Sequence, residues 1–141
     1  MLSTFEGAQK KNHAVLVIIT GNRSREMFAG ESLRVAALDG QLKDLESNTP
    51  ATLIPWISSD WSRTFAWRGT GDFPQAEKTK LKEIVDKAHK QKRRVRFWGA
   101  PDKAPFWRAL LDNGVDLINT DDLEGARRFM LYDRTSGKSR S

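Results

Sequence analysis

The stretch Gly114-Val115-Asp116-Leu117-Ile118-Asn119-Thr120-Asp121-Asp122 constrains the fold of this chain more than any other. Gly114 can adopt the left-handed conformation that closes a helix. Residues 115–118 follow as a short apolar run without regular polar alternation, the pattern of a strand covered on both faces, as in a parallel sheet. The run passes straight into Asn119, Thr120, Asp121 and Asp122, where an acidic N-cap opens a new helix. A polar cluster at the carboxyl end of a buried parallel strand is where α/β folds place their ligands.

Upstream, the chain alternates the same two kinds of element. Residues 1–13 are mixed and polar and read as a frayed helix end or loop. The run Ala-Val-Leu-Val-Ile-Ile-Thr at 14–20 is the clearest strand, β-branched and continuously apolar. It ends in Gly21-Asn22-Arg23-Ser24, with Ser24 placed to cap a short helix through Met27 and Phe28. A second strand is expected at 34–38, ending in the turn signal Asp39-Gly40. Residues 42–46 form a short helix, and a third strand at 52–57 ends in Ser58-Ser59-Asp60-Trp61. An irregular loop covers 62–73. Pro74 then opens the strongest helix, with Leu81, Ile84, Val85 and Ala88 on one face. A fourth strand spans 94–98, and a helix carrying Phe106, Leu110 and Leu111 leads back to Gly114. The last helix, 123–132, buries Leu123, Ala126 and Met130. This order predicts an α/β fold of about five parallel strands joined by right-handed helical crossovers. Residues 1–132 make one domain, and 133–141 a polar, disordered tail.

With 141 residues the chain can bury a real core but is well short of a complete eight-stranded barrel of roughly 250 residues. No apolar run approaches the ~18 residues a membrane span needs, so no transmembrane segment is expected. The start lacks the basic-then-apolar order of a signal peptide. The absence of cysteine excludes disulfides, thiolate zinc sites and cysteine nucleophiles. A net charge of +6 and a pI near 9.8 raise the question of nucleic acid. The basic cluster from Lys87 to Arg96, however, reads as a solvated helix end, where cations are favoured. No zinc-finger or RNA-recognition pattern accompanies it, so nucleic acid is not the expected partner.

Five blocks carry a family resemblance: VIITGNRSREM, RVAALDG, LIPWISSDW, RRVRFW and GVDLINTDD. In order and spacing they resemble the phospholipase C-like phosphodiesterases, the superfamily of glycerophosphodiester phosphodiesterases and phosphatidylinositol-specific phospholipases C. The likeness is to the branch with fungal relatives named for altered inheritance of mitochondria. It implies the carboxyl-terminal part of a TIM-type (β/α) barrel, as a fragment or a truncated product. It also implies phosphoric diester hydrolysis in lipid metabolism by the complete barrel, which could be secreted. Family chemistry uses a histidine pair and a carboxylate cluster holding a divalent metal, Mg or Ca. Those residues belong to the first strands, around His-Asn-Asp or His-Arg-Gly and Glu-x-Asp motifs, and neither motif occurs here. The only histidines, His13 and His89, precede a strand and end a helix. No catalytic residue and no metal ligand is therefore assigned to this chain, which is expected to be inactive alone. Relatives usually carry glycine where this chain has Lys92.

What remains is the wall of a pocket. Asn22, Arg23, Asp39, Asp60, Trp98, Asn119 and Asp121 all lie just past expected strand ends, which a parallel barrel brings to one rim. Arg23 suits a phosphate oxyanion through its paired donors, and Trp98 suits a sugar or glycerol group. For each aspartate the alternative is a turn or a helix cap. Within residues 94–98, alternation puts Val95 and Phe97 against the helices. Arg94, Arg96 and Trp98 then take the other face, so Arg96 joins the pocket. Expected partners are a phosphodiester small molecule or lipid headgroup, and either the missing amino-terminal half or a second copy. The competing expectation is a non-catalytic half-barrel that self-associates or binds a phosphorylated ligand. Dinucleotide, Walker-type and serine-hydrolase patterns are absent.

Overall fold

A computed structural model describes the backbone of residues 1–6, 9–21 and 24–136, and side chains as far as residue 132. The apolar run at 14–20 yields β3 (Val17–Ile19), after two short strands, β1 (Thr4–Glu6) and β2 (Gln9–Lys11). Helix α1 (Arg25–Gly30) follows, with Ser24 Oγ accepting the Met27 N–H at 3.4 Å as its cap. Then come β4 (Leu33–Arg34), β5 (Ala36–Gly40), a 3-10 helix (Leu42–Glu46) and β6 (Trp56–Asp60). The second half holds α2 (Trp61–Thr64), α3 (Gln75–Lys90), β7 (Arg94–Trp98), α4 (Ala104–Asp112), β8 (Leu117–Ile118) and α5 (Leu123–Ser136). Five strands form one sheet in the order β3-β5-β6-β7-β8, and the pairs β3·β5, β5·β6 and β7·β8 are parallel. Parallel strands alternating with helices make this an α/β fold consistent with part of a TIM-type barrel.

Several boundaries differ from expectation. Residues 1–13 are not a helix end. β1 pairs antiparallel with both β2 and β4 in a separate three-stranded sheet, because Phe5 in its middle is fully buried and anchors it. The third parallel strand begins at Trp56 rather than at 52. The Pro50 carbonyl takes the N–H groups of both Leu53 and Ile54, which commits them to a turn, and Pro55 has no N–H for a ladder. The loop expected at 62–73 contains α2, because Asp60 caps it through the Ser62 N–H at 2.9 Å and Trp61 is completely buried. In α4 the buried face is Phe106, Trp107 and Leu110. In α5 it is Phe129, packed on Trp107 at 5.5 Å, while Leu123 is 76% exposed. Helix α5 continues to Ser136, past the expected end at 132, and residues 137–141 of the expected tail lie outside the described residues.

Two units can be separated, Met1–Ser58 with Ile84–Val95, and Ser59–Glu83 with Arg96–Ser141. The first is centred on Asp44 in the 3-10 helix. Its carboxylate takes both Nη groups of Arg25, at 2.5 and 2.8 Å, and the Gln41 N–H at 2.7 Å. Arg93, buried beside it, donates to the carbonyls of Asp44 and Thr49. Burial pushes the Asp44 pKa up, but the Arg25 hydrogen bonds, the Gln41 N–H and the Arg25 and Lys43 charges outweigh it and hold it below the ordinary value.

The second unit is centred on Trp61. Its ring meets Phe65 at 4.2 Å, Phe106 at 4.8 Å and Phe97 at 5.3 Å, and its Nε1–H donates to the Trp67 carbonyl at 2.7 Å. Trp67 stacks on Phe73 and Phe106 at 4.4 and 5.4 Å. Such pairings add to the burial of large aromatic surfaces. Glu77, in the first turn of α3, accepts the N–H groups of Ala66 and Trp67 and so ties down the irregular segment.

Candidate functional site

β7 sets the geometry, since Val95 and Phe97 are fully buried while Arg94 and Trp98 are exposed and Arg96 is half-buried. Phe97 lies against Trp61 of α2 and Phe65, so the apolar side of the strand meets the helical layer. Alternation then puts Arg94, Arg96 and Trp98 on the opposite face, as the sequence pattern requires. Trp98 retains 42% of its exposure, leaving part of an aromatic ring available at the strand's carboxyl end.

The chain reverses directly after it, at Gly99, with φ +62°. A Cβ there would stand 2.7 Å from Asp60 Oδ1, so glycine is needed both for the left-handed backbone and for the approach of Asp60. Asp60 ends β6. Its Oδ1 accepts the Ser62 hydroxyl at 2.7 Å as well as the backbone N–H, and Arg63 Nε lies 3.5 Å from Oδ2. The Ser62 hydroxyl is the main cause of its lowered pKa, helped by the Ser62 N–H and the Arg63 charge against the opposing effect of burial. Asp60 is therefore an ionised helix cap that also borders Gly99.

On the next loop, Asp102 Oδ2 accepts the Asp121 N–H at 3.2 Å, joining the segment after β7 to the segment after β8. Asp121 itself is exposed and Asn119 half-buried. Asp122 is the cap of α5, its Oδ1 accepting the Gly125 N–H at 2.8 Å. Within the second unit, then, Asp60 meets the segment after Trp98, and Asp121 is held by Asp102. In the first unit, Asp39 is buried and accepts the Ser58 hydroxyl at 2.6 Å, a strand-to-strand bond. Asn22 and Arg23 lie outside the described residues. Sequence reasoning missed Ser58, Gly99 and Asp102. The Gly99-Ala100-Pro101-Asp102 break was visible as a strand end, but its closeness to Asp60 and Asp121 is a tertiary fact.

His13 is half-buried, its backbone N–H donating to Ser3 Oγ at 3.0 Å, and His89 is exposed late in α3. Among the described residues no group of three or more His, Cys, Asp or Glu side chains is placed to hold a metal ion. They do not by themselves fit a divalent cation. No helix among the described residues is long and apolar enough to cross a membrane.

The loops after β7 and β8 lie within a stretch that is similar to known proteins. Residues 94–124 match the glycerophosphoryl diester phosphodiesterase family. A stretch of 54 residues is 41% identical to "Altered inheritance of mitochondria protein 6" of Eremothecium gossypii, covering 35% of this chain and 14% of that relative. The chain thus matches only a small share of the relative's length, and the likeness holds at the level of the superfamily. No solved structure matches the chain significantly.

Proposed function

We propose that this chain supplies the carboxyl-terminal wall of a phosphodiesterase barrel, and that the complete barrel hydrolyses phosphoric diesters of the glycerophosphodiester or phosphoinositide type. The observation that carries this is where the family match falls. Residues 94–124 run from β7 to the start of α5, and they include Trp98, Asp102, Asn119 and Asp121, the residues at two successive strand ends. Parallel α/β folds bind ligands at such ends. In this role Trp98 offers an aromatic face to the glycerol or sugar part of a substrate, with Arg96 on the same face of its strand. Arg23 and Asn22, after β3, would serve the phosphate. The acid–base pair and the divalent metal, Mg or Ca in such enzymes, would come from other parts of the complete protein. When bound, the metal would stabilise charge on the phosphoryl oxygens.

The test uses a longer protein containing this chain, with a glycerophosphodiester as substrate and Mg²⁺ or Ca²⁺ present. Metal-dependent hydrolysis is expected, with Trp98→Ala raising KM several-fold at unchanged far-UV circular dichroism. Failure of that protein to turn over any diester would favour instead a non-catalytic half-barrel that binds a phosphorylated ligand or a second copy.

A further inference from the structure

One side of α5 is packed, and the other departs from the polar pattern of an ordinary solvent side. Phe129 is buried against Trp107, and Ala126 and Met130 are half-buried. Across the helix, residues four apart form two exposed rows: Leu123, Arg127 and Leu131, and beside them Glu124, Arg128 and Tyr132. Leu123 is 76% exposed, Tyr132 71% and Leu131 48%. Single exposed leucines are ordinary. Three large apolar side chains on one helix side, interleaved with two arginines, follow the pattern of a helix lying in a lipid–water interface. Glu124, the acid among these six, stands 3.5 Å from Arg127, so the two rows keep a positive surplus. From Leu123 to the end of the sequence five basic residues stand against two acidic ones, which places half of the net charge of +6 there.

We propose that the exposed side of α5 docks on the surface of an anionic lipid bilayer. Leu123, Leu131 and the Tyr132 ring enter the interface between headgroups and acyl chains. Arg127 and Arg128 lay their stems along the same side and reach lipid phosphates with their guanidinium groups. Charge decides between this occupant and a second copy. A two-fold related α5 would bring arginines against arginines, with one glutamate per chain already engaged by Arg127. Nucleic acid would meet the arginines but leave the leucines in water. A helix side is convex, and a fluid lipid surface moulds to it. The docking uses none of the strand-end residues and does not rest on the hydrolytic reading.

The test is co-sedimentation of the whole chain with vesicles, corrected for what pellets without lipid. Vesicles of phosphatidylcholine with about 30 mol% phosphatidylserine should bind the chain, phosphatidylcholine alone should bind it far less, and salt of about 0.5 M should release it. Arg128→Gln should weaken the partition about fivefold. Leu131→Gln should weaken it about tenfold, through lost apolar burial in the interface. Both positions are exposed, so thermal unfolding of the two variants should match the unchanged chain. Lys90→Gln, an equal loss of charge on α3, should leave the partition as it was. No binding to the phosphatidylserine vesicles would overturn the proposal, as would equal binding to both kinds of vesicle. Undiminished binding by Arg128→Gln and Leu131→Gln would also overturn it, by moving the contact away from α5. Self-association abolished by Leu131→Gln in a chain that ignores vesicles would assign this side to a second copy instead.

Discussion

Lys92 has φ +59°, the only non-glycine residue with positive φ among those described. Its N–H closes on the His89 carbonyl at 2.9 Å and the next N–H, of Arg93, returns to Ala88 at 2.9 Å, the hydrogen bonding of a left-handed helix end. A side chain here costs roughly 1 kcal/mol relative to glycine. Lys92→Gly should therefore raise the free energy of unfolding by about 1 kcal/mol in urea titration, less the entropy gained by the unfolded chain. Asp44 makes the opposite case, a residue whose type is demanded by its partners. Its pKa is depressed in the folded state. Its contribution to stability is thus complete above the unfolded value of about 3.9 and is lost as pH falls from there through the folded value. Urea midpoints measured from about pH 6 down to about pH 2.5 should fall steeply at the acid end. Asp44→Asn should flatten part of that slope, and Asp60, shifted the same way, should keep the rest. Arg25→Ala leaves the buried carboxylate without its bidentate partner and should cost about 2 kcal/mol at neutral pH.

At the scale of the element, α2 shows how a four-residue helix can organise a unit. Its propensity is negligible and it exists because Asp60 caps it and Trp61 is buried among Phe65, Phe73, Phe97 and Phe106. Trp61→Ala should cost about 3–5 kcal/mol, with loss of the near-UV signal of the aromatic cluster. Trp61→Phe should recover part of it while removing one of the two donors to the Trp67 carbonyl, Arg68 Nη1 remaining at 3.1 Å. The turn after β7 depends on glycine in the same way. Gly99→Ala combines a left-handed backbone with a Cβ placed against Asp60. It should destabilise by about 1–2 kcal/mol and displace the Asp60 cap, visible as faster amide exchange at Ser62.

At the scale of the whole molecule, exposed apolar side chains concentrate in the first part of the chain: Met1, Leu2, Val15, Met27, Leu33 and Val35, each at least 41% exposed. β3 is an edge strand of the five-stranded sheet and none of its three residues is fully buried. An edge of this kind, rich in valine and isoleucine, is a template for pairing with another chain. Sedimentation of the chain should show concentration-dependent association and a dye that reports apolar surface should bind. A monomer at all concentrations with no dye binding would contradict this. Hydrolysis of bis-(p-nitrophenyl) phosphate by the chain alone, with Mg²⁺ or Ca²⁺, should stay at background. Metal-dependent turnover lost on changing His13 or His89 would show that a catalytic centre is present after all.

The sequence by itself determined whatever depends on local pattern. β7 at Arg94–Trp98 and its facing, the amphipathic α3, the Ser24 cap, the left-handed end at Gly114 and the parallel α/β class were all legible. Each follows from periodicity, capping or backbone sterics within a few residues. The antiparallel sheet was not legible, because β1 and β2 are polar three-residue strands held by one buried ring, Phe5, paired with Arg34 far along the chain. The start of β6 was also hidden, since Leu53 and Ile54 look like strand residues but are buried in a turn governed by Pro50. For the candidate site, the aspartates at strand ends could be seen as candidates. Only tertiary contacts distinguished Asp122 as a cap, Asp39 as a partner of Ser58, and Asp60 as the neighbour of Gly99. A carboxylate's role is set by which donors come within about 3 Å of it, and chain neighbours alone do not specify those.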